Sequence, residues 1–88
     1  MNSPQVIIYT ADPCPYCFRA KALLKQRGIT FEEVLISWND NEQWDALYER
    51  SGGMRTVPQI YVDGKILGGY VDLAALDRED QLKSIGGK

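Results

Sequence analysis

The stretch "ADPCPYCFRAKALLKQRG", Ala11 to Gly28, decides how this chain is read. It holds both cysteines, Cys14 and Cys17, two residues apart at the head of a basic run. Cys17, Ala20 and Leu24 fall on one helical face with Leu23 beside them, while Arg19, Lys25 and Gln26 can face water. Gly28 stands where a helix C-terminal glycine belongs, after Lys25 and Arg27, whose charges suit the negative end of the helix dipole. A C-x-x-C can be a metal clip, half of a zinc knuckle, a structural clasp or a redox dithiol. The flanking sequence has to choose among them.

Immediately upstream, "QVIIY" (Gln5–Tyr9) is a short apolar run rich in β-branched residues and reads as a buried strand. Downstream, "TFEEVLI" (Thr30–Ile36) reads as a second strand. "NDNEQWDALYERSGG" offers Asn39 and Glu42 as a capping box, then Trp44, Leu47, Tyr48 and Ser51 at helical spacing, with Gly52 and Gly53 ending the helix. "VPQIYVDGKIL" carries a hairpin signal, two apolar runs around Asp63-Gly64. "GGYVDLAAL" turns on Gly68 and Gly69 into a last short helix. Beyond Asp77 the signal is weak, and "SIGGK" reads as a loose tail.

The order is β-α-β-α-β-β-α. A βαβ opening implies two parallel strands joined by a crossover, and the hairpin adds an antiparallel pair. The expected class is therefore α/β, a small four-stranded mixed sheet with helices on both faces. With 88 residues and no linker, repeat or low-complexity segment, residues 1–88 are expected to form a single domain.

Composition narrows the function. Ten basic and twelve acidic residues give a net charge of −2, so no basic excess points to nucleic acid and no polybasic run to a membrane surface. The apolar run near the N-terminus is too short for a signal peptide or a membrane span, and a cytoplasmic location is expected. In a reducing compartment two cysteines point to catalysis or metal binding before a permanent staple. There is no histidine, so a Cys–His hydrolase dyad is impossible. Two cysteines alone cannot close a tetrahedral zinc site within one chain, and no metal is expected.

Placed after a strand and opening a helix, Cys14 has a chemical advantage. Pro15 suits the first helical turn, where its missing N–H costs nothing. The unpaired backbone N–H groups there and the helix dipole both stabilise a thiolate, which is the nucleophile. Asp12 opposes this as a nearby anion; Arg19 and Lys21 favour it from the surface. Cys17, one turn further in on the apolar face, is expected to be less exposed. The pair is asymmetric, an outer attacking sulfur and an inner resolving one. Trp38 and Trp44 read as packing residues.

Three separated motifs, "CPYC" (14–17), "TVP" (56–58) and "GGYVD" (68–72), occur in an order that resembles the classical dithiol glutaredoxins of the thioredoxin superfamily, and the likeness covers about Val6 to Asp77. Taken singly, each of the last two has a plain structural reading: Thr56-Val57-Pro58 as a turn into a strand, Gly68-Gly69 as a hairpin exit, Asp72 as a helix cap. Together the resemblance implies a thioredoxin-like fold with Pro58 in a cis peptide. It implies that Val57 pairs through its backbone with the cysteinyl part of glutathione, as an added strand would. Gly69 would let backbone approach the ligand, the N–H groups of Val71 and Asp72 would meet the γ-glutamyl carboxylate, and the Asp72 carboxylate its ammonium. Tyr16, Arg55 and Thr56 would complete the glutathione site. Two departures stand out: Ala11 occupies a place where many members have lysine, and Trp44 one where many have glutamine or a basic residue.

The resemblance further implies a monomeric glutathione-dependent thiol–disulfide oxidoreductase using Cys14 and Cys17, acting on glutathionylated or disulfide-containing proteins, with glutathione as co-substrate and glutathione reductase and NADPH as the recycling system. Two rivals come with it. One is a dimer binding a glutathione-ligated [2Fe–2S] cluster through Cys14 of each chain, against which Pro15 argues in this family. The other is a thioredoxin-like protein reduced by a flavoprotein reductase, against which "GGYVD" argues.

Overall fold

A computed structural model describes residues 4–79, 81 and 82. The elements run β1 (Val6–Thr10), α1 (Pro15–Gln26), β2 (Glu32–Leu35), α2 (Asn41–Ser51), β3 (Gln59–Val62), β4 (Lys65–Gly68) and α3 (Tyr70–Arg78). The order and the four-stranded mixed sheet are those expected. The strands lie β2-β1-β3-β4. β1 and β2 are parallel, with Ile7 opposite Glu32 and Thr10 opposite Leu35. A parallel pair needs a long crossover, and α1 supplies it. β3 runs antiparallel to β1, with Ile8 opposite Ile60, and β4 closes the hairpin.

Both central residues of the hairpin turn have positive φ, 51° at Asp63 and 83° at Gly64. That is the type I′ geometry whose twist matches the flanking strands, and Asp-Gly is among the residue pairs that adopt it at little cost. The Gln5 N–H donates to Asp63 Oδ1 at 2.8 Å and the Asp63 N–H to the Gln5 carbonyl at 2.8 Å, which pins the turn to the chain entering β1.

Alternation along β1 separates two cores. Val6 and Ile8 pack with Ala20, Leu24, Ile29, Ile60 and Leu73, so α1 and α3 cover one face. Ile36, Leu47 and Tyr61, with Tyr9, Val57 and Ile66 beside them, form the core under α2 on the other face. Full burial of a leucine or isoleucine is worth about 1.5–3 kcal/mol, and Ile8, Leu24, Ile60 and Leu73 are all fully buried. Arg27 Nε lies 2.6 Å from Asp77 Oδ1, tying the end of α1 to α3.

Several local expectations are corrected. β2 is shorter than Thr30–Ile36, and β1 sits one residue later than Gln5–Tyr9. The cap of α2 is Asp40, whose carboxylate accepts the Gln43 N–H at 3.2 Å, not an Asn39–Glu42 box. An Asx cap needs an acceptor three residues before the donor, and Asp40 brings a charge that the helix N-terminus favours. On α2 only Leu47 is buried; Trp44 is half-buried and Tyr48 exposed. Past Asp77, Leu82 is buried and joins the main core. The "SIGGK" segment lies outside the described residues. Among the described residues, no helix is long and apolar enough to cross a membrane.

Candidate active site

β1 delivers the chain to the loop before α1, and both cysteines sit where that helix begins. Cys14 is the N-cap, in extended conformation, and Pro15 is the first helical residue. The Cys17 N–H donates to Cys14 Sγ at 3.1 Å, so the sulfur occupies the position of a capping acceptor. A negative sulfur there receives a direct hydrogen bond and the favourable end of the dipole. Cys17 is 2% exposed and Cys14 half-buried. The two are joined in a disulfide with Cα atoms 5.2 Å apart, so this is the oxidised form of the pair. The expected asymmetry of outer and inner sulfur is present.

The surface cations named from the sequence are engaged elsewhere. The Lys21 ammonium donates to Glu33 Oε2 at 2.9 Å, and the Arg19 guanidinium lies 5.5 Å from the centre of the Tyr16 ring. The helix terminus is therefore the effect that acts on Cys14 directly.

Across from the cysteines stands the loop that enters β3. Val57-Pro58 is a cis peptide, as the resemblance implied, and the Val57 carbonyl oxygen lies 3.8 Å from Cys14 Sγ. Asp12-Pro13 is a second cis peptide that the sequence did not announce. Beside Val57 and Pro58 opens a groove. Met54 and Thr56 form one part of its wall, and Gly69, Tyr70, Val71 and Asp72 the other, with Tyr16 at its edge. The Tyr16 and Tyr70 rings meet at 5.8 Å, and Val71 is 72% exposed on the rim.

α3 opens on this groove. Its first backbone bond runs from the Leu73 N–H to the Gly69 carbonyl, which leaves the N–H groups of Tyr70, Val71 and Asp72 without intrahelical acceptors. Asp72 reaches back to accept the Gly69 N–H on Oδ2 at 2.9 Å. Its carboxylate is thus a helix cap and a lining residue at once. A Cβ built on Gly68, at φ 135°, would overlap that carboxyl group.

The structure brings Tyr16, Thr56, Val57, Pro58, Gly69, Val71 and Asp72 together around the groove beside Cys14. It places Arg55 apart from them. The Arg55 guanidinium stacks 4.4 Å from the centre of the Tyr48 ring, in a separate hollow lined by Trp44, Asp45 and Tyr48. Ala11 is 4% exposed and offers nothing to a ligand. Sequence reasoning missed Met54, which no periodicity marks, and Tyr70, which sits inside the quoted "GGYVD". It also assigned Trp38 and Trp44 to packing. They stack on each other, 5.4 Å between centres and 16° between planes, with Trp38 49% exposed. Trp38 Nε1 donates to the Asp12 carbonyl at 2.9 Å, and Trp44 Nε1 to the Ser37 carbonyl at 3.1 Å, so the stack braces the loop leading to Cys14.

The family model described as Glutaredoxin matches residues 6–67, which take in both cysteines and the cis-proline loop. The chain belongs to the glutaredoxin family. Glutaredoxin 3 of Escherichia coli strain K12 is 49% identical over 72 residues, 82% of this chain and 84% of that protein. A probable glutaredoxin of a Synechocystis species is 44% identical over 80 residues, covering 91% of this chain and 90% of that one. Among solved structures, the glutaredoxin of Brucella melitensis superposes with a TM-score of 0.82 at 43% identity, over 96% of this chain and 89% of that chain. A buckwheat glutaredoxin in complex with glutathione gives a TM-score of 0.82 at 25% identity, over 93% and 76% of the two chains. As a glutaredoxin with a Cys14–Cys17 disulfide at a helix N-terminus, the chain is a thiol–disulfide oxidoreductase.

Proposed function

We propose that this oxidoreductase works with glutathione, reducing glutathionyl mixed disulfides and protein disulfides. The observation that carries this reading is the groove beside Cys14, which Val57 and Pro58 line together with the first turn of α3, whose N–H groups lack intrahelical acceptors. A tripeptide could pair with Val57 much as an added strand does. Its γ-glutamyl carboxylate would meet the N–H groups of Val71 and Asp72, and its ammonium the Asp72 carboxylate. The buckwheat relative's complex with glutathione supports the same choice of ligand.

The chemistry follows from the two sulfurs. The Cys14 thiolate attacks the glutathionyl sulfur of a mixed disulfide; that S–S bond breaks, and the substrate leaves as a thiolate that takes up a proton. A glutathione thiolate then attacks the Cys14 adduct, forming glutathione disulfide and returning the Cys14 thiolate. With a protein disulfide, Cys14 forms a mixed disulfide with the substrate, and Cys17 displaces it, leaving the Cys14–Cys17 disulfide. Two glutathione molecules reduce that disulfide in turn and become glutathione disulfide, which glutathione reductase recycles with NADPH.

A coupled assay with glutathione, glutathione reductase, NADPH and a small glutathionyl disulfide tests the reading. Saturable, protein-dependent NADPH oxidation is the expected result. A protein that is idle there but is turned over by a flavoprotein reductase specific for thioredoxins would overturn it.

A further inference from the structure

Gln59 is a polar side chain with no exposed surface, at the head of a strand whose next residues are Ile60, Tyr61 and Val62. A buried amide is costly unless its donors and acceptor are matched. Here they are matched to one loop. Nε2 donates to the Met54 carbonyl at 3.3 Å and to the Thr56 carbonyl at 3.1 Å. Two carbonyls admit only the NH2 group, so the amide's orientation follows from its partners. On the other side, Oε1 accepts the Tyr61 hydroxyl at 2.9 Å in a fully buried bond. Burial pushes the Tyr61 hydroxyl above its ordinary value of 10, so it keeps its proton to donate. Tyr61 is itself wedged edge-on against Tyr9, 5.4 Å between centres, and Tyr9 accepts a hydrogen bond from Arg50 of α2 at 2.7 Å.

This chain of contacts runs from the core under α2 to the wall of the groove. Met54, Thr56 and Val57 are that wall, and side chains hold it from both ends: Ser51 Oγ accepts the Met54 N–H at 2.9 Å, while Gln59 takes the two carbonyls. Between them Arg55 turns away onto Tyr48. A loop with few partners of its own is mobile by default; a buried amide bonded to two of its carbonyls removes that freedom.

We propose that Gln59 is a positioning residue for ligand binding: its amide, oriented by Tyr61, holds the Met54 and Thr56 carbonyls and so sets the groove wall against which the glutathionyl group lies. The proposal rests on the glutathione reading of the groove. Gln59 is fully buried behind the groove and is not among its lining residues, so its loss acts on binding through the loop and leaves the thiol chemistry in place.

Gln59→Met keeps the length and volume without the donors. It should raise KM for a glutathionyl disulfide about three- to tenfold, with kcat within about twofold of the parent. Alkylation of Cys14 in the reduced protein should be unchanged. Gln59→Glu keeps the shape but offers at most one donor, from its protonated carboxyl, and should also raise KM; if it does not fold, Gln59→Met carries the test alone. Tyr61→Phe frees Oε1 only and should fall between. A second readout does not use glutathione: tryptic cleavage after Arg55, well below the melting transition, should be faster in Gln59→Met than in the parent. A lowered Tm with KM and Arg55 cleavage both unchanged would reduce Gln59 to core packing and overturn the proposal. A parent protein idle with glutathione would instead sink the ligand reading, and cleavage at Arg55 would then decide whether Gln59 anchors the loop.

Discussion

The Cys14 sulfur and the Val57 carbonyl oxygen lie 3.8 Å apart, although 43 residues separate them in the chain. The contact joins the start of α1 to the cis-proline loop and sets the outer sulfur beside the groove that Val57 lines.

The two cysteines should separate cleanly. Cys14→Ser should abolish every activity, because a serine hydroxyl near neutral pH is not a thiolate. Cys17→Ser should keep the removal of glutathione from mixed disulfides, which needs only Cys14 and a second glutathione. Reduction of protein disulfides that depend on internal resolution should fall sharply. In the reduced protein, iodoacetamide alkylation of Cys14 against pH should have its midpoint below the free-thiol value of about 8.5, as its place at a helix N-terminus demands. A Cys17→Ser protein dead in deglutathionylation would reverse the roles.

Asp72 carries two functions, and two substitutions distinguish them. Asp72→Asn keeps an oxygen able to accept the Gly69 N–H but removes the charge. It should raise KM for glutathione by the loss of a charge-assisted contact, roughly 1.5–3 kcal/mol if that contact is desolvated, with Tm almost unchanged. Asp72→Ala should do the same and also lose the cap, lowering stability by about 0.5–2 kcal/mol. Steady-state kinetics beside thermal melts check both; equal KM values in parent and Asp72→Asn would remove the ammonium from this carboxylate.

Gly68→Ala should damage the same corner from behind. Gly68 holds φ at 135°, a conformation that side chains strain, and the new methyl would collide with the Asp72 carboxyl. Strain of this kind costs on the order of 1–3 kcal/mol, which for a domain of this size lowers Tm by about 4–8 °C per kcal/mol. Displacing Asp72 should raise KM as well. Gly69→Ala is a milder control for the space alone, since its Cβ would sit 3.4 Å from the Pro58 carbonyl.

Acid should weaken the β2 edge. The Lys21 ammonium first, and the Thr10 hydroxyl next, hold the Glu33 carboxyl below its usual value of 4.5. Thr10 donates at 2.7 Å and Lys21 at 2.9 Å, both to Oε2. A carboxyl lowered on folding contributes stability that is fully present above about 4.5 and is lost as pH falls through its folded value. The pair is partly solvated, so the contribution is under about 1 kcal/mol. Glu33→Gln should therefore be slightly less stable than the parent at pH 7, and urea titrations should show the gap closing toward pH 3. A gap independent of pH would assign the effect to shape.

The sequence by itself determined the elements and their order, because each rests on short-range chemistry. β-Branched residues at Val6–Ile8, an Asp-Gly turn, a proline at the first turn of α1 and glycines past the helix ends act within a few residues of themselves. The outer and inner places of Cys14 and Cys17 were legible for the same reason, since a helix terminus and a three-residue spacing define them. Tertiary structure decided what lies between distant segments. Only the sheet order β2-β1-β3-β4 brings Val57 to Cys14 and α3 to the groove. The tryptophan brace on Asp12 likewise joins segments 26 residues apart. Gln59 on the 54–56 loop and Arg55 on Tyr48 are short in sequence, but only burial in the packed core turned the Gln59 amide onto that loop, and no periodicity marks either contact. The Asp40 cap and the buried Leu82 sat where local signals were ambiguous or weak, and neighbours far along the chain or small shifts of register settled them. A hydrogen-bond partner more than forty residues away leaves no periodicity in the chain that contains it; its position is set by the fold, and the fold is set by the core.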